Sequence, residues 1–479
     1  MEEHAVVLGA GFAGLLAAQV LARRYERVTL IDRDPHGPGL RRGVPQAPHA
    51  HTLLCRGLLE LDRLVPGLSA ELVADGAVTA DPGADLLLLL GGHRLLPAPI
   101  GATTLQVSRT LLDDRLRERV LAAPGVELIT GRDVVGLVPA PIGDRCAGVR
   151  TVRRDPGSPA EVVAADLVVD ATGRGSRLDR WLAAEWRTTV PADRLPIEIR
   201  YASVASRLPN GLPGGARGAL IAPTARCPYG LALLAVEGGR HLVTTVATGG
   251  HRPPRDEAGM QAVIRTVAPA ELAEALLAGR PDGGVRGYRI PAVRRLRYDR
   301  ADRLPGGVIA IGDAACALNP VYAQGLTVAA QQAAALADEL DGDPETRPRR
   351  YLRAAAAVTE APWAIAVGSD LALPEHRQRR TVGSRVTAAL TGRIQRVATV
   401  DPAVARQFVR VMALLDPPTA LSRPSFLARL VRVRGLPHGS AERGAGDPGP
   451  AGDPGLDQLR PLHLDAGGER SDQGTHRAL

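Results

Sequence analysis

The stretch from His4 to Gly14, HAVVLGAGFAG, decides the fold of this 479-residue chain. Its apolar residues 4–8 predict a buried strand, and the Ala- and Leu-rich sequence that follows, as far as Arg24, predicts a helix. Residues 27–32 predict a second strand. Two strands joined by a helix within about 30 residues require a parallel sheet.

The glycine-rich turn between this strand and helix has the spacing of a dinucleotide-binding site. Its first two glycines allow a tight turn and a close approach of the backbone to a pyrophosphate, and the third lets the helix pack on the strand. The helix N-terminus attracts phosphates, and an aspartate ending the second strand can accept ribose hydroxyls. By itself the turn leaves NAD and FAD as equal candidates. The expected contacts are Gly9, Gly11, Phe12, Ala13, Gly14, Asp32 and Arg33.

A second motif, much later in the chain, favours FAD. Residues 308–315, VIAIGDAA, predict a buried strand running into Gly-Asp, and residues 319–326, NPVYAQGL, lead into another helix. This arrangement resembles the ribityl-binding motif of flavin monooxygenases, which implies that Asp313 accepts a ribityl hydroxyl. The N-terminus of the helix would then face the flavin ring, where negative charge develops on reduction. The expected contacts are Gly312, Asp313, Pro320, Gln324, Gly325 and Leu326.

A third motif is similar to the middle motif of the aromatic-hydroxylase superfamily of FAD-dependent monooxygenases. Residues 166–177, DLVVDATGRGSR, predict a strand that ends in Asp-Ala-Thr-Gly. Asp170 occupies the aspartate position of that motif. The resemblance also implies that Arg109, at the start of a helix, binds the FAD pyrophosphate. A plain turn role for Asp170 and a solvated position for Arg109 are the alternatives.

Three segments resemble the epoxidases of polyether-antibiotic pathways of the monensin and lasalocid type. They are residues 41–51 (RRGVPQAPHAH), 319–329 and 362–368. The resemblance implies that Arg42 lies near the flavin; a surface position is the alternative. The Ala47-Pro48 pair departs from the Gly and Arg expected there. For the two histidines of the first segment we expect hydrogen bonds within the loop rather than a metal, because no third ligand is near.

These motifs predict an α/β fold with a discontinuous Rossmann-like FAD-binding domain, an inserted antiparallel-sheet substrate domain and a helical C-terminal region. Short strands between Gly and Pro turns at residues 197–248 indicate the antiparallel sheet. An amphipathic helix at residues 423–436 is expected to pack on the core, with Phe426, Leu427, Leu430 and Val431 on one face. The expected domains are residues 1–80, 100–180 and 285–345 for FAD; 81–99 and 181–284 for substrate; 346–436 for the helical region; and 437–479 for a disordered tail.

The resemblance implies a monooxygenase in which reduced FAD and O2 form a C4a-hydroperoxide that transfers one oxygen atom. The expected substrate is an alkene of a large, apolar, polyketide-like intermediate of antibiotic biosynthesis, and no catalytic side chain follows from this chemistry. NAD(P)H would donate electrons directly or through a separate flavin reductase. An aromatic hydroxylase, a flavin reductase or desaturase, and a non-enzymatic lipid-binding protein of the same fold are alternatives. A halogenase is disfavoured because the chain lacks lysine and the Trp-x-Trp-x-Ile-Pro motif.

The composition restricts the kinds of binding partner and the cellular compartment that we expect. All 59 basic residues are arginine and the net charge is +8, but the arginines are scattered among acidic residues. This pattern predicts a solvated surface rather than a nucleic-acid site. The four cysteines form no CxxC pair, which favours a reducing cytoplasm and predicts no metal site. No signal peptide and no apolar run long enough to span a membrane are apparent, so no stable membrane insertion is expected.

Overall fold

The structure of the chain, a computed structural model, describes residues 4–35 and 46–433. The α-helices in these ranges are α1 (Phe12–Leu21), α2 (Cys55–Leu64), α3 (Leu68–Ala74), α4 (Arg109–Leu121), α5 (Leu178–Trp186), α6 (Glu257–Val267), α7 (Ala270–Leu277), α8 (Gly325–Glu339), α9 (Arg347–Leu371), α10 (Val382–Val397), α11 (Pro402–Met412) and α12 (Pro424–Arg432).

The strands in the same ranges form four sheets. They are β1 (His4–Leu8), β2 (Arg27–Ile31), β3 (Thr52–Leu53), β4 (Val78–Ala80), β5 (Leu86–Leu90), β6 (His93–Arg94), β7 (Thr104–Gln106), β8 (Val126–Ile129), β9 (Arg132–Pro139), β10 (Cys146–Arg153), β11 (Ala160–Ala164), β12 (Leu167–Asp170), β13 (Ala192–Arg207), β14 (Gly218–Ile221), β15 (Tyr229–Val236), β16 (Arg240–Ala247), β17 (Arg280–Leu296), β18 (Val308–Ala310) and β19 (Cys316–Ala317).

A parallel sheet of five strands, in the order β18-β12-β1-β2-β8, carries the main core. β1 pairs in parallel with β12 on one side and with β2 on the other, and β12 pairs in parallel with β18. All five residues of β1 are buried, as expected for a parallel strand covered on both faces. Because β18 comes from far along the chain, the sheet is discontinuous in sequence, as the motifs predicted.

The largest sheet is mostly antiparallel, in the order β19-β17-β13-β16-β15-β14-β5-β6. Met260 and Ile264 of α6 and Leu272 of α7 pack in one apolar cluster with its strands. A second cluster on the sheet includes Trp363 and Val367 of α9. Together with the parallel core and the C-terminal helices, this sheet confirms the predicted fold class. Two smaller antiparallel sheets, β11-β10-β9 and β3-β7-β4, were not predicted.

Two expected helices have different limits in the structure. The helix expected near residues 257–277 is two helices, because α6 ends at Val267 and Pro269 is the N-cap residue of α7. Proline has no backbone N–H to continue the hydrogen bonds of the first helix. The helix expected from about residue 50 begins at Cys55, since residues 52–53 pair with β7 instead.

The helical C-terminal region packs α10, α11 and α12 into one apolar cluster with β5 and its neighbours. In α12 the side chains of Phe426 and Leu430 are buried, but Leu427 is 36% and Val431 67% exposed. The expectation that all four share one face was wrong for the latter two, because adjacent residues point about 100° apart around a helix. The predicted tail at 437–479 lies outside the described residues. No helix among those described is long and apolar enough to cross a membrane.

Candidate active site

One cavity of about 1630 Å³ joins the parallel sheet, the antiparallel sheet and the C-terminal helices. Gly9, Ala171 and Gly312, which follow the carboxyl ends of β1, β12 and β18 closely, line one part of it. Ligands of open α/β sheets bind at this edge. Apolar side chains of β5, β14, α10 and α11 line another part, among them Leu88, Leu90, Leu220, Ile394, Phe408 and Met412.

The glycine-rich turn is shaped by close backbone contacts. Gly9 has φ +96°, and a Cβ on Gly14 would lie 1.9 Å from the carbonyl oxygen of Gly9. Gly14 therefore lies beneath the turn and does not line the cavity, in keeping with its predicted packing role. A Cβ on Gly11 would meet nothing within 4 Å. The turn thus leaves open space beside Gly11, where the sequence predicted a pyrophosphate.

The carboxylate at the end of β2 holds this turn in place. Asp32 is 6% exposed and accepts hydrogen bonds from the backbone N–H groups of Ala10, at 2.6 Å, and Asp34, at 2.9 Å. Asp32 and Arg33 both line the cavity, as do Phe12 and Ala13. The predicted nucleotide residues of the first motif, apart from Gly14, therefore come together at one wall.

The second motif meets the first directly. Gly312 has φ +66°, and a Cβ there would lie 2.7 Å from the Cβ of Ala13. The neighbouring Asp313 carboxylate lies 3.4 Å from Nε of Arg174, which follows the Asp-Ala-Thr-Gly motif. Arg174 also donates hydrogen bonds to the carbonyl oxygens of Ala292 and Leu318. The cavity is further lined by Pro320, Gln324, Gly325 and Leu326.

Arg109 is buried beside the first motif rather than solvated. Its side chain donates a 2.7 Å hydrogen bond from Nε to Asp113, and its guanidinium carbon lies 5.7 Å from the centre of the Phe12 ring. Ser108 caps the helix by accepting a hydrogen bond from the Leu111 N–H. The cap and the ion pair fix the arginine at the cavity wall.

Asp170 does not line the cavity. It is fully buried and accepts hydrogen bonds from the N–H and hydroxyl of Thr172 and from the hydroxyl of Ser176. Burial raises the pKa of its carboxyl. Asp170 therefore shapes the turn that brings Arg174 to the wall, which corresponds to the alternative turn role. Arg42, the remaining predicted contact, lies outside the described residues.

A buried hydrogen-bond network that the motifs did not reveal holds the loop before α8. Asp370, at 0% exposure, accepts hydrogen bonds from the Asn319 amide at 2.7 Å and the Tyr322 hydroxyl at 2.8 Å. Asn319 in turn accepts a hydrogen bond from the Tyr201 hydroxyl at 3.3 Å. Burial raises the pKa of Asp370 to about 6. In the sequence, Asp370 was marked only by its position two residues after the segment at residues 362–368.

His49 and His51 both line the cavity. His51 makes the expected hydrogen bond within the loop, whereas His49 contacts Ser203 of β13 instead. Nδ1 of His51 donates to the His49 carbonyl oxygen at 2.8 Å, and Nδ1 of His49 lies 2.7 Å from the Ser203 hydroxyl. Burial lowers the pKa of His49 to about 4. Burial and the nearby Arg109 guanidinium lower the pKa of His51 to about 3.

The site offers polar groups that suit a flavin dinucleotide. Gln324, just before α8, is 1% exposed, and its side-chain oxygen has no hydrogen-bond partner in the described part of the chain. The open space at Gly11, the carboxylates of Asp32 and Asp313, and the start of α8 all adjoin the same cavity. These groups match the parts of FAD: the space at Gly11 suits the pyrophosphate, Asp32 the ribose, Asp313 the ribityl chain and the start of α8 the flavin ring.

Comparison with known proteins agrees with this geometry. Residues 5–187 match the family model described as FAD dependent oxidoreductase. Protein Rv3254 of Mycobacterium tuberculosis is 35% identical over 441 residues, which cover 87% of this chain and 90% of that protein. The chain belongs to the FAD-dependent oxidoreductase family.

Two further similarities are to proteins named as monooxygenases. Kynurenine 3-monooxygenase of Salinispora arenicola is 26% identical over 358 residues, which cover 72% of this chain and 73% of that enzyme. The crystal structure of p-nitrophenol 4-monooxygenase from Pseudomonas putida has a TM-score of 0.62 at 19% identity, covering 87% of this chain and all of that one. At that identity the structural likeness concerns the fold alone. In the described part of the oxidoreductase, no group of three or more His, Cys, Asp or Glu residues could hold a metal ion.

Proposed function

We propose that this oxidoreductase is a monooxygenase that inserts one atom of O2 into a large, apolar, polyketide-like substrate, and that the reaction is the epoxidation of an alkene. The observation that carries the proposal is that the nucleotide motifs and a wall of apolar side chains line the same cavity. Its volume of about 1630 Å³ exceeds that of ordinary small-molecule sites, roughly 300–1,000 Å³. The space can therefore receive a cofactor and a bulky substrate together.

The proposed FAD site uses the residues of the three motifs. The open backbone at Gly11 and the start of α1 would receive the pyrophosphate, with Arg109 beside it. Asp32 would accept the ribose hydroxyls, and Asp313 a ribityl hydroxyl. The start of α8 would offer its N–H groups to the ring. Asp170 would act indirectly, through the turn that it holds.

Bound FAD supplies the activation of O2 and the transfer of one oxygen atom. The chain itself must hold the substrate near the flavin ring and exclude water from that place. The apolar wall formed by Leu88, Leu220 and Phe408 supports both tasks, because its side chains give an alkene van der Waals contact and offer water no hydrogen-bond partner. Asp370 would hold the loop at residues 319–325 against the ring through Asn319 and Tyr322.

Hydroxylation of an aromatic ring is an equally supported second candidate. One relative, which matches 72% of the chain at 26% identity, is a kynurenine 3-monooxygenase. The rings of Tyr201 and Tyr288 stand at the cavity wall and would pack on an aromatic substrate. Electrons would come from NAD(P)H, either directly or through a separate flavin reductase.

Labelled dioxygen tests the proposal. The purified, FAD-loaded chain is reduced and mixed with ¹⁸O2 and either a linear polyene or a polycyclic phenol, and the products are analysed by mass spectrometry. One labelled oxygen atom per epoxide supports the proposal, and one per new phenolic hydroxyl supports the second candidate. Release of hydrogen peroxide without labelled product from either class would reject both.

A further inference from the structure

His49 stands at the start of a hydrogen-bonded chain that fixes which of its nitrogens carries hydrogen. Its Nδ1 lies 2.7 Å from the hydroxyl of Ser203, which lies 2.6 Å from the hydroxyl of Thr244. The Thr244 oxygen accepts a 3.0 Å hydrogen bond from the backbone N–H of Ala50. His49, Ser203 and Thr244 are 6%, 2% and 3% exposed. Water therefore hardly reaches the chain in this conformation.

Two hydrogen arrangements are possible along this chain. If Nδ1 of His49 donates to Ser203, then Ser203 donates to Thr244, and both the Thr244 hydroxyl hydrogen and Nε2 of His49 are left without a described partner. If Thr244 donates to Ser203 and Ser203 donates to Nδ1, the only unpaired donor is Nε2–H. A buried donor without a partner costs about 1–3 kcal/mol, so the arrangement with fewer unpaired groups is favoured. His49 thus carries its hydrogen on Nε2.

The imidazole is also neutral at physiological pH. Burial lowers the pKa of His49 to about 4, so the ring is a hydrogen-bond donor at Nε2 without a positive charge. No described residue accepts a hydrogen bond from Nε2. This atom is therefore an unpaired buried donor, which calls for an explanation.

The position of His49 at the cavity explains why its Nε2 has no partner within the protein. Its ring lines the cavity between the rings of Tyr201, at 5.9 Å, and Tyr288, at 5.8 Å. Tyr201 in turn donates to Asn319 in the loop that we place against the flavin ring. Val246 of β16 and Ile290 of β17, the strands on either side of β13, also line the cavity, so the surroundings of the His49 ring are largely apolar. The His49 ring therefore stands at the cavity wall, beside the place where the substrate is expected.

We propose that Nε2–H of His49 binds an oxygen acceptor of the substrate, a carbonyl or phenolate oxygen, so that the enzyme selects oxygenated apolar molecules over pure hydrocarbons. This inference rests on the proposed function and narrows its substrate class. A hydrocarbon of the same shape would leave the donor unpaired, which is how buried polar groups discriminate between close analogues. His49 would be a specificity-determining residue, and the Ser203–Thr244 pair would position it.

A matched pair of ligands tests the selection without turnover. Binding of 9-fluorenone and of fluorene, which share one ring frame, is measured by equilibrium dialysis with the FAD-loaded chain. We expect fluorenone to bind roughly threefold to tenfold more tightly than fluorene. His49→Phe should abolish this difference, and His49→Gln, which keeps an N–H, should retain part of it. His241→Phe is the matched control, because His241 shares β16 with Thr244 but does not line the cavity.

A third ligand shows whether Nε2–H binds a carbonyl or a phenolate oxygen. 4-Nitrophenolate supplies a phenolate in place of the carbonyl of fluorenone, and the ligand that loses more affinity in His49→Phe identifies the acceptor. If fluorenone binds no more tightly than fluorene, or if the ratio is the same in the wild-type chain and His49→Phe, the inference is wrong.

Nitrogen-15 NMR of the histidine rings tests the tautomer directly. At pH 7 the signals of His49 should be those of a neutral ring with hydrogen on Nε2. Thr244→Val, which breaks the hydroxyl chain without changing the ring, identifies these signals by their shift. A ring that is charged or protonated on Nδ1 overturns the inference even if the His49 variants do not fold. Neither measurement requires oxygen transfer, so failure here is distinct from failure of the labelled-dioxygen experiment.

Discussion

The side-chain amide of Asn319 donates a 2.7 Å hydrogen bond to the buried carboxylate of Asp370. Asn319 lies in the loop between β19 and α8, and Asp370 lies in the last turn of α9. The Tyr322 hydroxyl donates to the same carboxylate oxygen, Oδ1, while Oδ2 has no partner among the described residues. One buried acid therefore ties the loop that lines the cavity to the helical region.

This acid should make the stability of the protein depend on pH. Burial raises the pKa of Asp370 to about 6 from an ordinary 3.8. Because the unfolded chain loses this proton at lower pH than the folded chain, the contribution of Asp370 to the free energy of unfolding falls between pH 3.8 and about 6 and is constant above. The fall should be up to about 3 kcal/mol.

Asp370→Asn should remove that part of the pH dependence, since asparagine has no proton to lose yet keeps an oxygen for Asn319 and Tyr322. Denaturant unfolding at several values between pH 4 and pH 7 measures it. Asp341→Asn, at an exposed carboxylate, is the control. If the free energy of unfolding depends on pH in Asp370→Asn as it does in the wild-type chain, the carboxyl of Asp370 has the same pKa in the folded and unfolded states.

Two glycines of the first motif should respond differently to alanine. Gly14→Ala would place a methyl group 1.9 Å from the carbonyl oxygen of Gly9, so the backbone must shift. We expect a loss of about 1–3 kcal/mol or more in the free energy of unfolding of the FAD-free protein. Gly11→Ala meets no atom within 4 Å. It should leave that stability nearly unchanged but weaken FAD binding, because the methyl group enters the space proposed for the pyrophosphate.

Thermal unfolding of the FAD-free variants and FAD titration separate these effects. If Gly11→Ala binds FAD as the wild-type chain does, the pyrophosphate does not lie at this turn.

Asp313→Ala should weaken FAD binding at least about tenfold, since a hydrogen bond to a charged acceptor contributes about 1.5–3 kcal/mol. It also leaves Arg174 without the carboxylate that lies 3.4 Å from its Nε. Asp313→Asn keeps an acceptor oxygen and should recover part of the affinity. Asp302→Ala, at an exposed position, is the control for loss of a negative charge. Unchanged affinity in a folded Asp313→Ala protein would remove this residue from the cofactor site.

Phe426→Ala should lower the free energy of unfolding by about 3 kcal/mol, because the ring is buried against α10 and α11. Val431→Ala, on the exposed side of the same helix, should change it by less than about 0.5 kcal/mol. Chemical denaturation compares the two. Equal, small effects would mean that α12 does not dock on the core in solution.

The local spacing of residues was enough to predict the elements around the first and second motifs. The unbroken apolar run of β1, the turn at residues 9–14 and the carboxylate of Asp32 lie within one strand–helix–strand unit, so sequence distance and spatial distance agree there. The same reasoning failed for α6 and α7, where one proline outweighed a continuous helical pattern. It also missed the two small sheets: the strands β3, β4 and β7 are only two or three residues long, but β9 and β10 have eight residues each.

The sequence by itself determined the parallel α/β core, because glycine conformation, strand burial and helix propensity act within a few residues. The tertiary structure decided which distant groups meet. The contact of His49 with Ser203, the contact of Asn319 with Asp370 and the turn role of Asp170 depend on packing between elements far apart in the chain. No local pattern encodes such pairs, since each partner is chosen by the fold of the whole molecule and by the need to satisfy buried polar groups.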